Sequence, residues 1–174
     1  MEKGWDKMLE FGKHEHSLFG NIKNVLTAFG VNLLWVIFIV AFLRLVVSMT
    51  LDEVKTLLTA QVMARGAGKT FFFAVVMAPL WEEAVFRYCP FRIAWACENE
   101  YSGSIKDAVF LFPVMIFSSI VFGLAHGGVT NILIQGFSGL VLAWVMVKSG
   151  YKWAVLTHAF WNWMLIFGLP SLLR

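Results

Sequence analysis

Apolar residues run along this chain in long blocks separated by short polar stretches. A helix that crosses a bilayer needs about 20 mainly apolar residues. Five windows approach or meet that length, at about 25–49, 70–97, 108–125, 129–147 and 153–169. Arg44 lies close enough to the end of the first window to snorkel to the interface. The stretch 51–69 carries Asp52, Glu53, Lys55, Arg65 and Lys69 and reads as an interfacial or amphipathic connection. A polar loop at 98–107 separates windows two and three, Gly127-Gly128 joins three and four, and 148–152 joins four and five. The pattern predicts an all-α, polytopic transmembrane bundle of about five membrane-spanning helices. It forms one domain over 25–174, preceded by a cytoplasmic or interfacial segment at 1–24.

Composition strengthens this reading. The 174 residues are 59% hydrophobic and 14% charged, with 17 Phe, 8 Trp and 3 Tyr, and mean hydropathy is +0.73. Soluble domains run at about 45–50% apolar and about 25% charged, so a disordered chain and an ordinary soluble enzyme are excluded. The aromatic excess reads as lipid-facing surface, interfacial belt and bundle packing. Residues 1–24 mix lysines with acids and lack an apolar core, so they do not form a cleavable signal peptide. Trp5, Met8, Leu9 and Phe11 have the spacing of a weak amphipathic turn, and His14 and His16, on either side of Glu15, read as a solvated face. Cys89 and Cys97 show no CxxC or Cys/His spacing and read as buried thiols. The net charge of +3 is ordinary for a membrane protein, and no basic stretch interleaved with polar or aromatic readers points to nucleic acid. The run Gly66-Ala67-Gly68-Lys69-Thr70 imitates half a phosphate loop, but Met63 stands where the first glycine belongs.

With an odd number of spans the termini face opposite sides. An N-terminus inside the cell puts Lys3, Lys7, Lys13, Lys23, Lys106, Lys148 and Lys152 on the cytoplasmic side, against Lys55, Arg65, Lys69 and Arg174 outside. The positive-inside rule therefore predicts a multi-pass cell-membrane protein with a cytoplasmic N-terminus.

Ionisable groups within a bilayer each cost roughly 3 kcal/mol on insertion scales and mark functional sites by default. The second window reads Pro79-Leu80-Trp81-Glu82-Glu83-Ala84-Val85-Phe86-Arg87. Glu83 and Arg87 are four apart and stack on one helical face. Glu82 points about 100° away from Glu83, which leaves it the freer carboxylate. A free buried carboxylate suits a general base; the same group would equally serve as a structural ion pair with a spare acid beside it. His126 closes the third window, where a lone histidine is commonly a cap. His158 and Asn162 share a face of the fifth window. Burying an imidazole and an amide without partners would cost several kcal/mol, so both should point into one cavity with the carboxylates. This inventory suits water activation by a carboxylate with donors for an oxyanion, and peptide hydrolysis uses that combination.

The three elements resemble the CAAX protease and bacteriocin-processing family (CPBP, or Abi), which includes the type II prenyl endopeptidases. Its pattern is EExxxR, FxxxH and HxxxN or HxxxD. Glu82, Glu83 and Arg87 match the first, Phe122 and His126 the second, and His158 and Asn162 the third. The resemblance implies an intramembrane endopeptidase in which Glu82 and His126 activate water and His158 and Asn162 form the oxyanion hole. Glu83, Arg87 and Phe122 would support them. It also implies a hydrophobic or lipidated peptide partner within the bilayer. Zinc held by Glu82, His126 and His158 is conceivable, but no HExxH or other close-spaced ligand set occurs, so catalysis without a metal or other cofactor is the expectation. The alternatives are a non-catalytic immunity or partner-binding protein on the same scaffold and a small proton-relay or transport subunit. Gln135 is the one strongly polar side chain well inside the fourth window, which speaks against transport. No residue pattern selects an oligomeric state.

Depth sets a test. At 1.5 Å per residue, Glu82 sits about 18 Å into its helix and His158 about 8 Å into its own. His126 lies at the very end of its window, so it can meet Glu82 only if the Gly127-Gly128 turn dips into the bundle. Irregular backbone at that depth must be buried in protein or line a wet cavity.

Overall fold

The computed structural model describes residues 17–46, 48, 50, 52–53, 56, 64–101, 111–127, 129 and 131–172. Among them there is no strand, and five helices carry the fold. Helix α1 is Leu18–Val46. Helix α2 is an unbroken rod of five stretches, Ala67–Thr70, Phe71–Met77, Ala78–Glu83, Ala84–Tyr88 and Cys89–Tyr101. Helix α3 is Leu111–Ala125. Helix α4 is Ile132–Ser149, and α5 joins Tyr151–Trp163, Met164–Gly168 and Leu169–Leu172.

Boundaries shift from the apolar windows in two instructive places. Helix α1 takes in residues 18–24, polar ones included. Helix α2 likewise absorbs Glu98, Asn99 and Glu100, so the expected loop begins as helix. The amphipathic turn at Trp5–Phe11, His14, His16 and most of the loop lie outside the described residues.

Pro79 explains a local irregularity of α2. The preceding turns are π-helical, and the amide of Ala78 donates to the Phe73 carbonyl five residues back. The next amide in that register would come from residue 79, but proline has none. The Ala74 carbonyl instead accepts from Asn162 Nδ2 of α5, at 2.8 Å. A missing helical donor thus becomes a tie between α2 and α5.

Helix α4 packs against α1, α2, α3 and α5. Val141, Leu142, Ala143, Val145 and Met146 are buried there. Small residues bring α3 and α4 into backbone contact: a Cβ on Gly123 would lie 2.6 Å from Ile132 Cα. Close approach through small residues is the usual packing device in membranes, where lipid offers apolar side chains no incentive to desolvate. Helix α1 adds aromatic and polar ties. The Trp35 indole stacks on Phe137 at 4.3 Å between centroids and donates to the Leu133 carbonyl at 2.8 Å.

The distribution of polarity is inverted relative to a soluble domain. Phe19 is 79% exposed, Leu45 84% and Trp81 71%, while Glu83, Arg87 and Asn32 are fully buried. Leu18–Val46 and Ile132–Ser149 are long and apolar enough to cross a membrane; Leu111–Ala125 is apolar but shorter. Cys89 is exposed and Cys97 half-buried, both free thiols. This corrects the expectation of burial, which rested on the apolar neighbourhood in sequence; apolar neighbours along a helix need not cover a residue in space.

Candidate active site

The first pair to form is the one the i, i+4 spacing dictates. Arg87 Nη1 donates to Glu83 Oε1 at 2.9 Å, and both side chains are fully buried. The remaining guanidinium surface lies over the Phe122 ring, 4.0 Å from its centroid. An aromatic face at that distance attracts a cation, so the phenylalanine of the second motif acts as a wall for the arginine of the first. Gly139 of α4 makes the space: a Cβ there would come 2.7 Å from Arg87 Nη2 and 3.0 Å from the Phe122 ring.

His158, nearly buried, joins the same carboxylate, with Nδ1 2.8 Å from Glu83 Oε1. A carboxylate accepts only, so Nδ1 carries the hydrogen. Its other nitrogen, Nε2, points toward Glu82 Oε2 at 3.6 Å. Sequence spacing had tied Glu83 to Arg87 alone; its bond to the histidine of α5 links helices remote in sequence and is invisible before they pack.

His126 reaches Glu82, but not through the expected dip of the turn: Ala125, Gly127 and Val129 are exposed, and it is the His126 side chain, not the turn's backbone, that reaches into the cavity. Its Nδ1 donates to the Phe122 carbonyl at 2.8 Å, and Nε2 lies 3.6 Å from Glu82 Oε1. The turn is held from behind by Asn131, whose Nδ2 donates to the His126 carbonyl at 2.7 Å. Gly127 takes φ +125°, a conformation side chains resist. Gly128 lies outside the described residues.

With both Nδ1 atoms donating, Nε2 of each ring is the atom left to face Glu82, His126 toward Oε1 and His158 toward Oε2, across 3.6 Å gaps. That is beyond direct hydrogen bonding and leaves room for a small polar molecule between them. Glu82 and His126 remain partly open, at 19% and 28% side-chain exposure.

Glu82, His126, His158 and Asn162 line one cavity of about 670 Å³, between α2 and α5. Gln135 of α4, Trp81 and Arg65 line it too. Spacing motifs missed these three, although the isolation of Gln135 in an apolar window was a usable signal.

Glu82, His126 and His158 are zinc donors in kind. Among the described residues, however, no three His, Cys, Asp or Glu side chains converge as a ligand set. Each histidine addresses a different Glu82 oxygen.

A family model for type II CAAX prenyl endopeptidase Rce1-like proteins matches residues 66–164. The chain belongs to this family. No curated protein and no solved structure matches it. The Rce1-like stretch contains every residue of the cluster from Glu82 to Asn162, and it leaves α1 outside. Rce1-like proteins are membrane proteases, so the chain is assigned to the hydrolases.

Proposed function

We propose that this protein is an intramembrane endopeptidase that cleaves a membrane-anchored, hydrophobic or prenylated peptide with water activated by Glu82 and His126. The observation that carries the reading is His126 Nε2 facing Glu82 Oε1 across 3.6 Å, with both residues lining one cavity. A water between them gives a proton to Glu82 while its oxygen attacks the scissile carbonyl. Glu82 then passes that proton to the departing amine, so the carboxylate is regenerated as the bond breaks.

The oxyanion needs donors. Asn162 uses one amide hydrogen on the Ala74 carbonyl, and its second is free to serve. His158 donates from Nε2 only as imidazolium, because Nδ1 already donates to Glu83. One such donor is worth roughly 3–4 kcal/mol of transition-state stabilisation. Glu83, Arg87 and Phe122 hold the His158 ring in place. No step requires a metal. The five helices form a multi-pass bundle in the cell membrane with a cytoplasmic N-terminus, as the lysine distribution favours.

The experiment compares wild type and Glu82→Gln, purified in detergent, on a quenched prenyl-peptide library with and without a chelator. Removing the base is expected to lower the rate by about 10²–10⁴-fold, and the chelator to change nothing. Equal cleavage by both proteins would sink the carboxylate mechanism. Cleavage by neither, with a partner co-purifying on both, would favour a binding protein on the same scaffold. Loss of activity in chelator, restored by zinc, would overturn the metal-free step.

A further inference from the structure

The proposed hydrolysis leaves one amide of the cavity unused. Glu82, His126, His158 and Asn162 take part in the reaction, and Gln135 lines the same cavity from α4. Its carboxamide forms no hydrogen bond to any described residue. Gln135 sits in the π-helical first turn of α4, Ile132–Gly136, a widened turn frequent at functional sites. The backbone on either side of it is pinned to α3. A Cβ on Gly123 would lie 2.6 Å from Ile132 Cα, and one on Gly136 would lie 3.0 Å from the Ser119 carbonyl oxygen. Gly139 is four residues further on, hence on the same face of α4, and it abuts Arg87 and Phe122. Gln135 is therefore an uncommitted amide on a fixed backbone, on the helix face that serves the site.

We infer that the Gln135 carboxamide clamps the substrate backbone, accepting the N–H and donating to the C=O of one residue in an extended stretch. This rests on the endopeptidase reading above. A carboxamide is neutral, so it neither supplies nor removes the proton that hydrolysis moves; it offers an acceptor and two donors. In an extended chain the N–H and C=O of one residue point the same way, as in the pairs that antiparallel strands exchange. One carboxamide complements both. The walls create the need. Phe73, Ala74, Met77, Leu165 and Ile166 line the cavity with side chains that form no hydrogen bonds, and a peptide group brought there unpaired is costly. A helical segment already satisfies its own backbone and gains nothing from Gln135. The clamp therefore selects extended or unwound stretches over intact helices, whatever side chains they carry.

Binding, separated from turnover, tests the clamp. Glu82→Gln protein in detergent is titrated with a fluorescent prenylated peptide of apolar residues. It is then titrated with a set of the same peptide in which an ester replaces the backbone amide at each residue in turn. An ester lacks the N–H and accepts more weakly. At one position the ester is expected to bind about tenfold more weakly than the amide. Adding Gln135→Met, which keeps the length of the side chain but not its hydrogen bonds, should bring that ratio toward one. Because ester and amide are read on one preparation, partial misfolding cannot mimic a change in the ratio. A pattern of ester sensitivity unchanged by Gln135→Met would overturn the clamp, as would no measurable binding of any peptide. The same peptide locked as a helix by α-aminoisobutyric residues should bind equally with and without Gln135→Met; a loss as large as that of the extended peptide would assign Gln135 to a side-chain contact and overturn the backbone reading. With Glu82 intact, Gln135→Met is expected to raise KM and leave kcat nearly unchanged. A fall in kcat with binding unaltered would make Gln135 an oxyanion donor and overturn the clamp. Ester sensitivity that depends on Gln135, without cleavage by wild type, would sink only the endopeptidase reading. Cleavage by wild type with a flat ester scan would sink only the clamp.

Discussion

Glu82 and Glu83 are adjacent on α2, and their surroundings share almost nothing. Glu83 is fully buried, bonded to Arg87 within its own helix and to His158 across the bundle. Glu82 is partly exposed at the cavity and faces two histidine nitrogens across gaps too long for direct bonds. The difference follows from a rotation of about 100° per residue. A single step along the helix sends one carboxylate into the packing and the other into the cavity. The buried carboxylate holds the ring that the open one faces, so on the proposed mechanism structure and chemistry are divided between two neighbours that a composition count treats as one acidic pair.

The division breaks most sharply on the buried side. Arg87→Leu leaves Glu83 without its cation and should destabilise the folded protein by about 3–5 kcal/mol, the usual result of orphaning a buried charge. Thermal unfolding in detergent, followed by tryptophan fluorescence, would register it. Adding Glu83→Gln should recover part of that loss by removing the orphaned charge. If Arg87→Leu melted like wild type, the buried side would not be the structural one. Gly139→Ala tests the space around the pair. Its new methyl meets Arg87 Nη2 and the Phe122 ring at distances that force a shift, for an expected loss of about 1–3 kcal/mol. The smallest effect belongs to Tyr151, whose hydroxyl donates to the Leu80 carbonyl at 2.7 Å, just before the two glutamates. Tyr151→Phe should lower stability by about 1 kcal/mol and leave Arg87 paired. A larger effect would mean that the junction between α4 and α5 helps to set the register of α2.

Much of the cluster was legible before folding because each motif is local. Glu83 and Arg87 declare their pairing by a spacing of four, and the same spacing puts His158 and Asn162 on one face. Long apolar blocks make helices, and their lengths announced a membrane protein. The contacts that join these elements were not legible. The Glu83–His158 bond spans 75 positions of sequence and the Asn162–Ala74 bond 88. The role of Pro79 is similar. A proline in a helical window warns of a broken hydrogen bond, but only packing shows that Asn162 supplies the missing donor. Cys89 shows the opposite failure, since an apolar neighbourhood in sequence does not say which side of a helix its neighbours cover.

By itself the sequence determined the helical class, the membrane-like polarity and the identity of the chemical groups, because backbone hydrogen bonding and side-chain burial act over a few turns. Tertiary structure alone decided that the carboxylate left free by the spacing meets a cavity, which nitrogen each histidine presents and how far the cavity extends toward Arg65. Those depend on angles and separations between helices, set by small contacts such as Gly123 against Ile132, and no local period along the chain encodes them.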